Sequence, residues 1–339
     1  MSMPNRRLQY SLAINEAFHQ LMEADESVFL MGQGVKSPWY VGNTAKGLLE
    51  RFGPRRVIDT PVSENGITGA AIGAAIAGMR PIVVHPRMDF LLYALDPIIN
   101  EAANWRYMFG GASKVPVVIW AIVNRGGEQG AQHSQALQAL FTHVPGLKVV
   151  MPSNPYDAKG LMISAVRDDN PVVYIDDRWL YCAEDDVPNF PYAVPIGKAR
   201  VSRPGEDCTV IATSYMVSEA LRAASILENE GVSIEVIDLR TNKPLDHETL
   251  SRSIRKTRKV IAVDAAWRTC GLAGEVVAWV SENLFDCLAA PPVRVTLPDV
   301  PAPASATLES VYYPTGESIA EAVRALVQIP AERSVSGGI

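Results

Sequence analysis

Residues 56–85 read RVIDTPVSENGITGAAIGAAIAGMRPIVVH, and the fold follows from this stretch. Arg56–Asp59 is a short β-branched run. Glu64–Gly78 is rich in Gly and Ala at helical spacing, and Pro81–His85 is a second apolar run. Strand, helix and strand within some thirty residues make a βαβ unit, because parallel strands need a crossover of a dozen or more residues. The alternation extends in both directions. Upstream, Leu8–Ala24 has helical spacing and Ser27–Met31 reads as a buried strand. Downstream come a helix at Leu95–Met108, the very apolar strand Val115–Val123 and, after a Gly-rich loop, a helix at Gln135–Leu140. A strand at Leu147–Met151, a helix at Tyr156–Arg167 and a strand at Pro171–Asp176 follow. Near-continuous β-branched strands between helices imply a parallel sheet covered on both faces.

The pattern lapses between Ala183 and Gly205, where Pro188, Pro191, Pro195 and Pro204 punctuate a polar stretch. Such a stretch reads as a linker. A second series then begins with CTVIAT from Cys208, a helix at Val217–Glu230 and SIEVIDL from Ser233. It continues with KVIAVDA from Lys259, a helix at Gly271–Asn283, PVRVTL from Pro292 and a helix at Glu317–Val327. The expected fold class is α/β, with two open, mainly parallel sheets flanked by helices. The expected division is a domain over 1–185, a linker over 186–204 and a domain over 205–339.

Composition removes whole classes of function. The chain has 339 residues, room for about two domains at roughly 150 residues each. Hydrophobic residues make up 48% and charged residues 20%, as in globular proteins. Lys and Arg number 31 against 37 Asp and Glu, a formal charge of −6 that argues against a nucleic-acid surface. Cys182, Cys208, Cys270 and Cys287 are far apart and form no CxxC pair, which suits free thiols in a reducing compartment. The opening MSMPNRRLQYSLAINEAF lacks the apolar core of a signal peptide, and the apolar run Gly66–Met79 is too short to span a bilayer. A cytoplasmic protein without membrane attachment is expected.

Three segments carry candidate chemistry. Asp59-Thr-Pro-Val-Ser-Glu64-Asn-Gly66 lies at the carboxyl end of a strand, where open α/β sheets place ligands. Ser63 suits an N-cap, with Glu64 in the first helical turn favoured by the dipole. Gly66, Gly69, Gly73 and Ala77 make a flat helix face that reads as internal packing, or as an interface. In Asn124–Gln135, a Gly-rich loop leaves a buried strand and sets His133 among Gln132, Ser134 and Gln135. A loop His is suited to proton transfer near neutral pH, and equally to a plain surface position. Gly32-Gln33-Gly34 after a strand mimics the start of a dinucleotide fingerprint, but the third Gly is missing. The chain has no Ser nucleophile elbow and no HExxH zinc helix.

Taken in order, DTPVSENGITGAAIGAAIAGMRPIV, Asp89-Phe90, ALDPIINEAANWRYMFGG and AQHSQ resemble the β subunit of the thiamine-diphosphate-dependent 2-oxo acid dehydrogenases. This is the pyruvate, branched-chain and acetoin dehydrogenase group, itself related to transketolase. The resemblance continues through HVPGLKVVMPSNPYDAKGLMISAVRDDNPVV to LPDVPAPASATLESVYYPTGESIAEAV, nearly the whole chain. It implies a pyrimidine-binding domain followed by a transketolase C-terminal domain. Glu64 matches the catalytic glutamate, which hydrogen-bonds a ring nitrogen of the aminopyrimidine and drives its amino–imino tautomerism. Phe90 matches the aromatic that packs on the pyrimidine, and His133 the active-site histidine. A potassium site is implied at Val117, Ala165, Val166, Asp168 and Asn170; Asp168-Asp169-Asn170-Pro171 also suits a helix-ending turn.

The resemblance further implies a partner. The family holds the cofactor's diphosphate through magnesium with a Gly-Asp-Gly motif, and none occurs in this sequence. In split enzymes that motif lies on an α subunit, so an α2β2 heterotetramer is implied, with no room in this length for a diphosphate domain. The implied reaction is decarboxylation of a 2-oxo acid with acyl transfer to a lipoyl acyltransferase. Several positions depart from the family pattern. Gly32-Gln33-Gly34 stands for Gly-Glu-Asp, Trp120 for Arg, Pro97 for Gln, and Asp176-Asp177-Arg178-Trp179 for a stretch that begins with Glu. These departures keep open a split transketolase-like or acyloin-forming ligase using an aldehyde acceptor. A catalytically retired regulatory subunit is a further class, disfavoured by intact Glu64 and His133.

Overall fold

The computed structural model describes residues 6–37 and 39–327. The chain divides into two compact units. One comprises the residues up to Ile196 with Asn242–Pro244; the other comprises Gly197–Thr241 and the chain from Leu245 onward. The domain expected over 205–339 ends, over residues 328–339, outside the described residues.

The first unit is built on a seven-stranded sheet. From one edge its strands are Thr241–Lys243, Lys148–Val150, Val172–Asp177, Val118–Val123, Arg80–His85, Val28–Gly32 and Val57–Asp59. The paired strands from Lys148–Val150 to Val57–Asp59 all run parallel. Every residue of Val118–Val123 and Val172–Asp177 is buried, which is why these runs are unbroken rather than alternating. The helices Tyr10–Ala24 and Pro155–Arg167 pack against each other, and Glu64–Ile76 packs against Arg80–His85. Asn154 caps the helix after it by accepting the Asp157 N–H, with Pro155 at the first helical position.

The second unit has a five-stranded sheet in the order Val293–Leu297, Val260–Trp267, Cys208–Ala212, Ile234–Asp238 and Arg200–Arg203. Its first four strands are parallel and Arg200–Arg203 is antiparallel at the edge. Met216–Glu228 and Gly316–Val327 bury one face of it, and His247–Thr257 and Leu272–Asn283 the other. Two open, mainly parallel sheets flanked by helices are thus present, as expected.

The structure adds elements where local signals conflict. The stretch 186–204, read as a linker, contains β structure at both ends. Val187 closes an antiparallel ribbon of Arg6–Gln9 with Glu184–Val187, and Arg200–Arg203 joins the second sheet. Between them the fully buried Lys159 ammonium donates to the Pro188 and Phe190 carbonyls at 2.6 and 3.0 Å and to Glu16. The helix expected over 95–108 is helical along its length, but a 3₁₀ segment Met88–Ala94 leads into it and a π turn Pro97–Ala102 precedes its α-helical end Ala103–Met108. Pro97 has no N–H to continue an α-helical ladder across that point. His247–Thr257 has no counterpart in the sequence reading. Its signals are an Asp246 N-cap that accepts the Thr249 N–H and a Leu250/Ile254 pair at i, i+4, inside a strongly polar segment.

Three readings of small residues change. Ser63 precedes the helix Glu64–Ile76 without capping it through its side chain. The flat Gly face is not internal packing: Gly69, Gly73 and Ala77 are exposed, and a methyl group built at Gly69 or Gly73 meets nothing within 4 Å. Gly32, read as a weak phosphate signal, is needed for packing, since a Cβ there would lie 2.4 Å from Val84 Cγ1 and 2.7 Å from its carbonyl oxygen.

Two predictions test this core. Gly146 has φ +87°, and a Cβ on it would stand 2.0 Å from the Ala103 carbonyl oxygen. Gly146→Ala combines backbone strain with overpacking and is expected to destabilise the first unit by about 3 kcal/mol in urea unfolding; an unchanged midpoint would refute the close approach. Asp176 is fully buried, accepts the Tyr181 hydroxyl at 3.0 Å, and burial pushes its carboxyl up to about 8. The folded form therefore keeps its proton where the unfolded chain, with an ordinary carboxyl near 3.9, has lost it. That contribution to stability is complete below about pH 4 and is lost as pH rises towards 8. In Asp176→Asn, the decline in urea midpoint between pH 5 and 8 should flatten, and equal slopes in both proteins would disprove the assignment.

Candidate active site

The candidate residues emerge at the carboxyl ends of parallel strands in the first unit. Glu64 follows Val57–Asp59 and opens the helix Glu64–Ile76; Phe90 follows Arg80–His85; His133 follows Val118–Val123. The strands bearing Phe90 and His133 are neighbours in the sheet, so their loops open side by side. Phe90 sits in the 3₁₀ segment Met88–Ala94, against which the Glu64 helix packs. All three side chains are half-buried. The Phe90 and His133 rings meet edge to face, with centroids 5.4 Å apart and planes at 88°, a favoured geometry for an aromatic quadrupole. No described residue hydrogen-bonds the Glu64 carboxylate, which stands in the positive field of the helix start.

The His133 loop is anchored at both ends. Asn124 Nδ2 donates to the Pro86 carbonyl at 3.0 Å, tying the loop start to the strand that leads to Phe90. Arg125 forms a buried ion pair with Asp177, and its guanidinium stacks 5.6 Å from the Trp179 ring centre. Burial raises the Asp177 carboxyl, and the Arg125 charge pulls it back toward the ionised form. Gly126, at φ +77°, passes so close to Trp179 that a Cβ would lie 2.5 Å from its Nε1. At the far end, the Gln135 N–H donates to Asp89 Oδ1 at 3.0 Å and the Leu137 N–H to Met88 Sδ at 3.4 Å.

Some of these groups escape a reading of the sequence. Asp177 and Arg125 are 52 positions apart, and only the parallel pairing of Val118–Val123 with Val172–Asp177 brings them together. His85 is fully buried, its Nε2 3.1 Å from Thr68 Oγ1, and burial drives it down to about 3, so it stays neutral. Thr68 lies one turn beyond Glu64 on the same helix, a spacing visible in sequence but without meaning until His85 is placed behind it. Trp120, one of the family departures, is fully buried against Phe18 at a centroid distance of 5.3 Å and belongs to the core.

The residues expected to hold potassium converge on one turn. The Val117 carbonyl accepts the Val172 N–H, and the Ala165 carbonyl the Asp168 N–H. The Val166 and Asp168 carbonyls both accept from Arg80 Nη1, at 2.8 and 3.1 Å. Asp168 pairs with Lys148 and receives the Asn170 N–H, while Asn170 Oδ1 accepts from Arg106. A separate concavity of about 170 Å³, lined by Leu21, Val28, Arg80, Ile163 and Val166, opens at the amino ends of the strands and contains none of Glu64, Phe90 and His133. No described helix is long and apolar enough to cross a membrane.

Comparison with known proteins identifies both domains. Residues 6–183 match the transketolase pyrimidine-binding domain and residues 197–319 the transketolase C-terminal domain. The chain is 45% identical to the acetoin:2,6-dichlorophenolindophenol oxidoreductase subunit beta of Cupriavidus necator, covering 94% of this chain and 97% of that protein. It is 42% identical to the pyruvate dehydrogenase E1 component subunit beta of Rickettsia felis, covering 92% of this chain and 96% of that one. A solved split gene transketolase, described as an inactive beta4 tetramer, shares the fold with a TM-score of 0.78 at 23% identity, over 95% of this chain and 99% of that one. With both transketolase domains matched and such relatives aligned almost end to end, the chain belongs to the transketolase-like thiamine-diphosphate family, among the β subunits of its 2-oxo acid and acetoin dehydrogenases.

Proposed function

We propose that this chain is the β subunit of a two-chain thiamine-diphosphate enzyme that acts on a 2-oxo acid or a related ketone donor and passes the acyl unit to a lipoyl acceptor. The edge-to-face Phe90–His133 pair, opening beside the Glu64 helix at the carboxyl ends of one parallel sheet, carries this reading. The residues suit the cofactor. An aminopyrimidine needs a hydrogen-bonding carboxyl and an aromatic face, and Glu64 and Phe90 are half-exposed groups of those two kinds. Bound thiamine diphosphate supplies the carbon nucleophile and electron sink for cleaving the bond beside a ketone carbonyl. Glu64 holds and returns the proton at the pyrimidine ring nitrogen. Phe90 fixes the plane of that ring. His133 exchanges a proton at the substrate's carbonyl oxygen, a task suited to an imidazole near neutral pH. The neighbouring ion pair of Arg125 and Asp177 fixes the loop from which it acts.

The rest of the site belongs to a partner. The sequence contains no Gly-Asp-Gly, so we assign the diphosphate and its magnesium to an α subunit, in an α2β2 assembly that delivers to a lipoyl acyltransferase. The exposed Gly69 and Gly73 face admits close approach of a partner backbone. Potassium at Val117, Ala165, Val166, Asp168 and Asn170 forms part of the same proposal: each carbonyl in that turn retains a second lone pair beside its present donor. The four free cysteines suit a reducing, cytoplasmic setting. The aldehyde-ligating alternative loses Trp120 as an argument, since that side chain is enclosed in the core.

Co-expression with an α subunit bearing Gly-Asp-Gly, followed by thiamine-diphosphate titration and a donor-dependent dye-reduction assay, tests the reading. Wild type should bind cofactor and turn over, whereas Glu64→Gln should fold and assemble but lose at least about 100-fold in kcat. Near-normal turnover in that variant would end the role given to Glu64. Lipoyl-domain acylation without aldehyde ligation from the same donor is the expected acceptor preference; the reverse would favour the ligase.

A further inference from the structure

The segments bearing Phe90 and His133 are joined by a hydrogen bond from one to the other. Asp89, immediately before Phe90, is 4% exposed, yet it is a carboxylic acid. Its Oδ1 accepts the Gln135 N–H, two residues beyond His133, at 3.0 Å. Its Oδ2 is buried and, among the described residues, has no hydrogen-bond partner. Burial raises this carboxyl; hydrogen bonding from Gln135 and the nearby His133 imidazole offset only part of that. An apolar side chain of the same size would avoid the cost of desolvating a half-satisfied acid. The bond that Asp89 does make joins the two site segments next to their edge-to-face ring contact. Met88, one residue earlier, takes the Leu137 N–H with its sulfur, so the exit of the His133 loop is stitched to this turn twice.

We propose that Asp89 is a positioning residue of the active site: its carboxyl oxygen fixes the Gln135 amide and thereby holds the His133 imidazole against Phe90. The proposal rests on the roles given above to Phe90 and His133. What the position requires is a hydrogen-bond acceptor rather than a charge. Asn supplies that acceptor, and Leu has a similar volume without one. A merely space-filling role would treat Leu as well as Asn or better.

The test compares wild type, Asp89→Asn and Asp89→Leu in the assembled α/β enzyme. Amide hydrogen exchange over residues 133–137, without cofactor or donor, reads the clamp; kcat and donor KM at saturating thiamine diphosphate read its consequence. Asp89→Leu should speed exchange at Gln135 at least tenfold and lower kcat about 10- to 100-fold with donor KM little changed, the scale of losing a supporting hydrogen bond behind a reacting group. Asp89→Asn should recover both to within about threefold of wild type. If the Leu variant fails to assemble, Asp89→Val replaces it, with the same expectations. Wild-type exchange and kcat in the apolar variant, or an Asn variant as impaired as the apolar one, would overturn the proposal. The exchange arm needs no turnover. A wild-type complex that lacks thiamine-diphosphate activity would therefore refute the functional assignment, while exchange still decides whether Asp89 holds the loop.

Discussion

Everything in the first unit depends on one constraint: parallel strands must be joined by crossovers that run over the faces of the sheet. A strand such as Val118–Val123 is then covered on both sides, and its six residues are all buried. Each crossover returns the chain to the same edge, so successive loops open at the carboxyl ends together. Glu64, Phe90 and His133 come from three different loops, yet they share that edge for this reason alone. Burial of the central Val, Ile and Trp side chains, each contributing on the order of 2 kcal/mol, makes the edge rigid enough to hold them.

The same burial raises the cost of every polar group admitted to the sheet's end. Asp177 is tolerated because Arg125 lies against it, Asp176 because it keeps its proton and accepts the Tyr181 hydroxyl, and His85 because it stays neutral beside Thr68. These groups surround the loops that carry the candidate residues. Breaking one member of a buried pair is far more costly than losing a surface ion pair. The arrangement therefore favours a single loop conformation over a set of alternatives, which is what proton transfer at a defined atom needs.

An exposed helix face of Gly69 and Gly73 and a half-open cluster of Glu64, Phe90 and His133 are unusual to leave on a surface. They make sense as one half of a shared site. The family assignment fits this, since the relatives are themselves named as β subunits of larger enzymes. In the function proposed, this chain would bring the pyrimidine end of the cofactor site and the proton-transfer groups. The diphosphate end would lie with the partner.

The sequence by itself determined the fold class, because strand runs such as VIWAIV and VVYIDD at regular spacing suit only a parallel sheet under helices. It also determined Glu64, Phe90 and His133 as candidates, because their neighbours stand in a recognisable order. It could not show that the Gly face is open, that Trp120 is core, or that the Pro-rich stretch after Val187 is held by a buried lysine. Nor could it pair Arg125 with Asp177, or Asp89 with Gln135. Local pattern records which face of an element is apolar. Which polar group meets which across the end of a sheet depends on strand order and register, and those exist only once the chain has closed on itself.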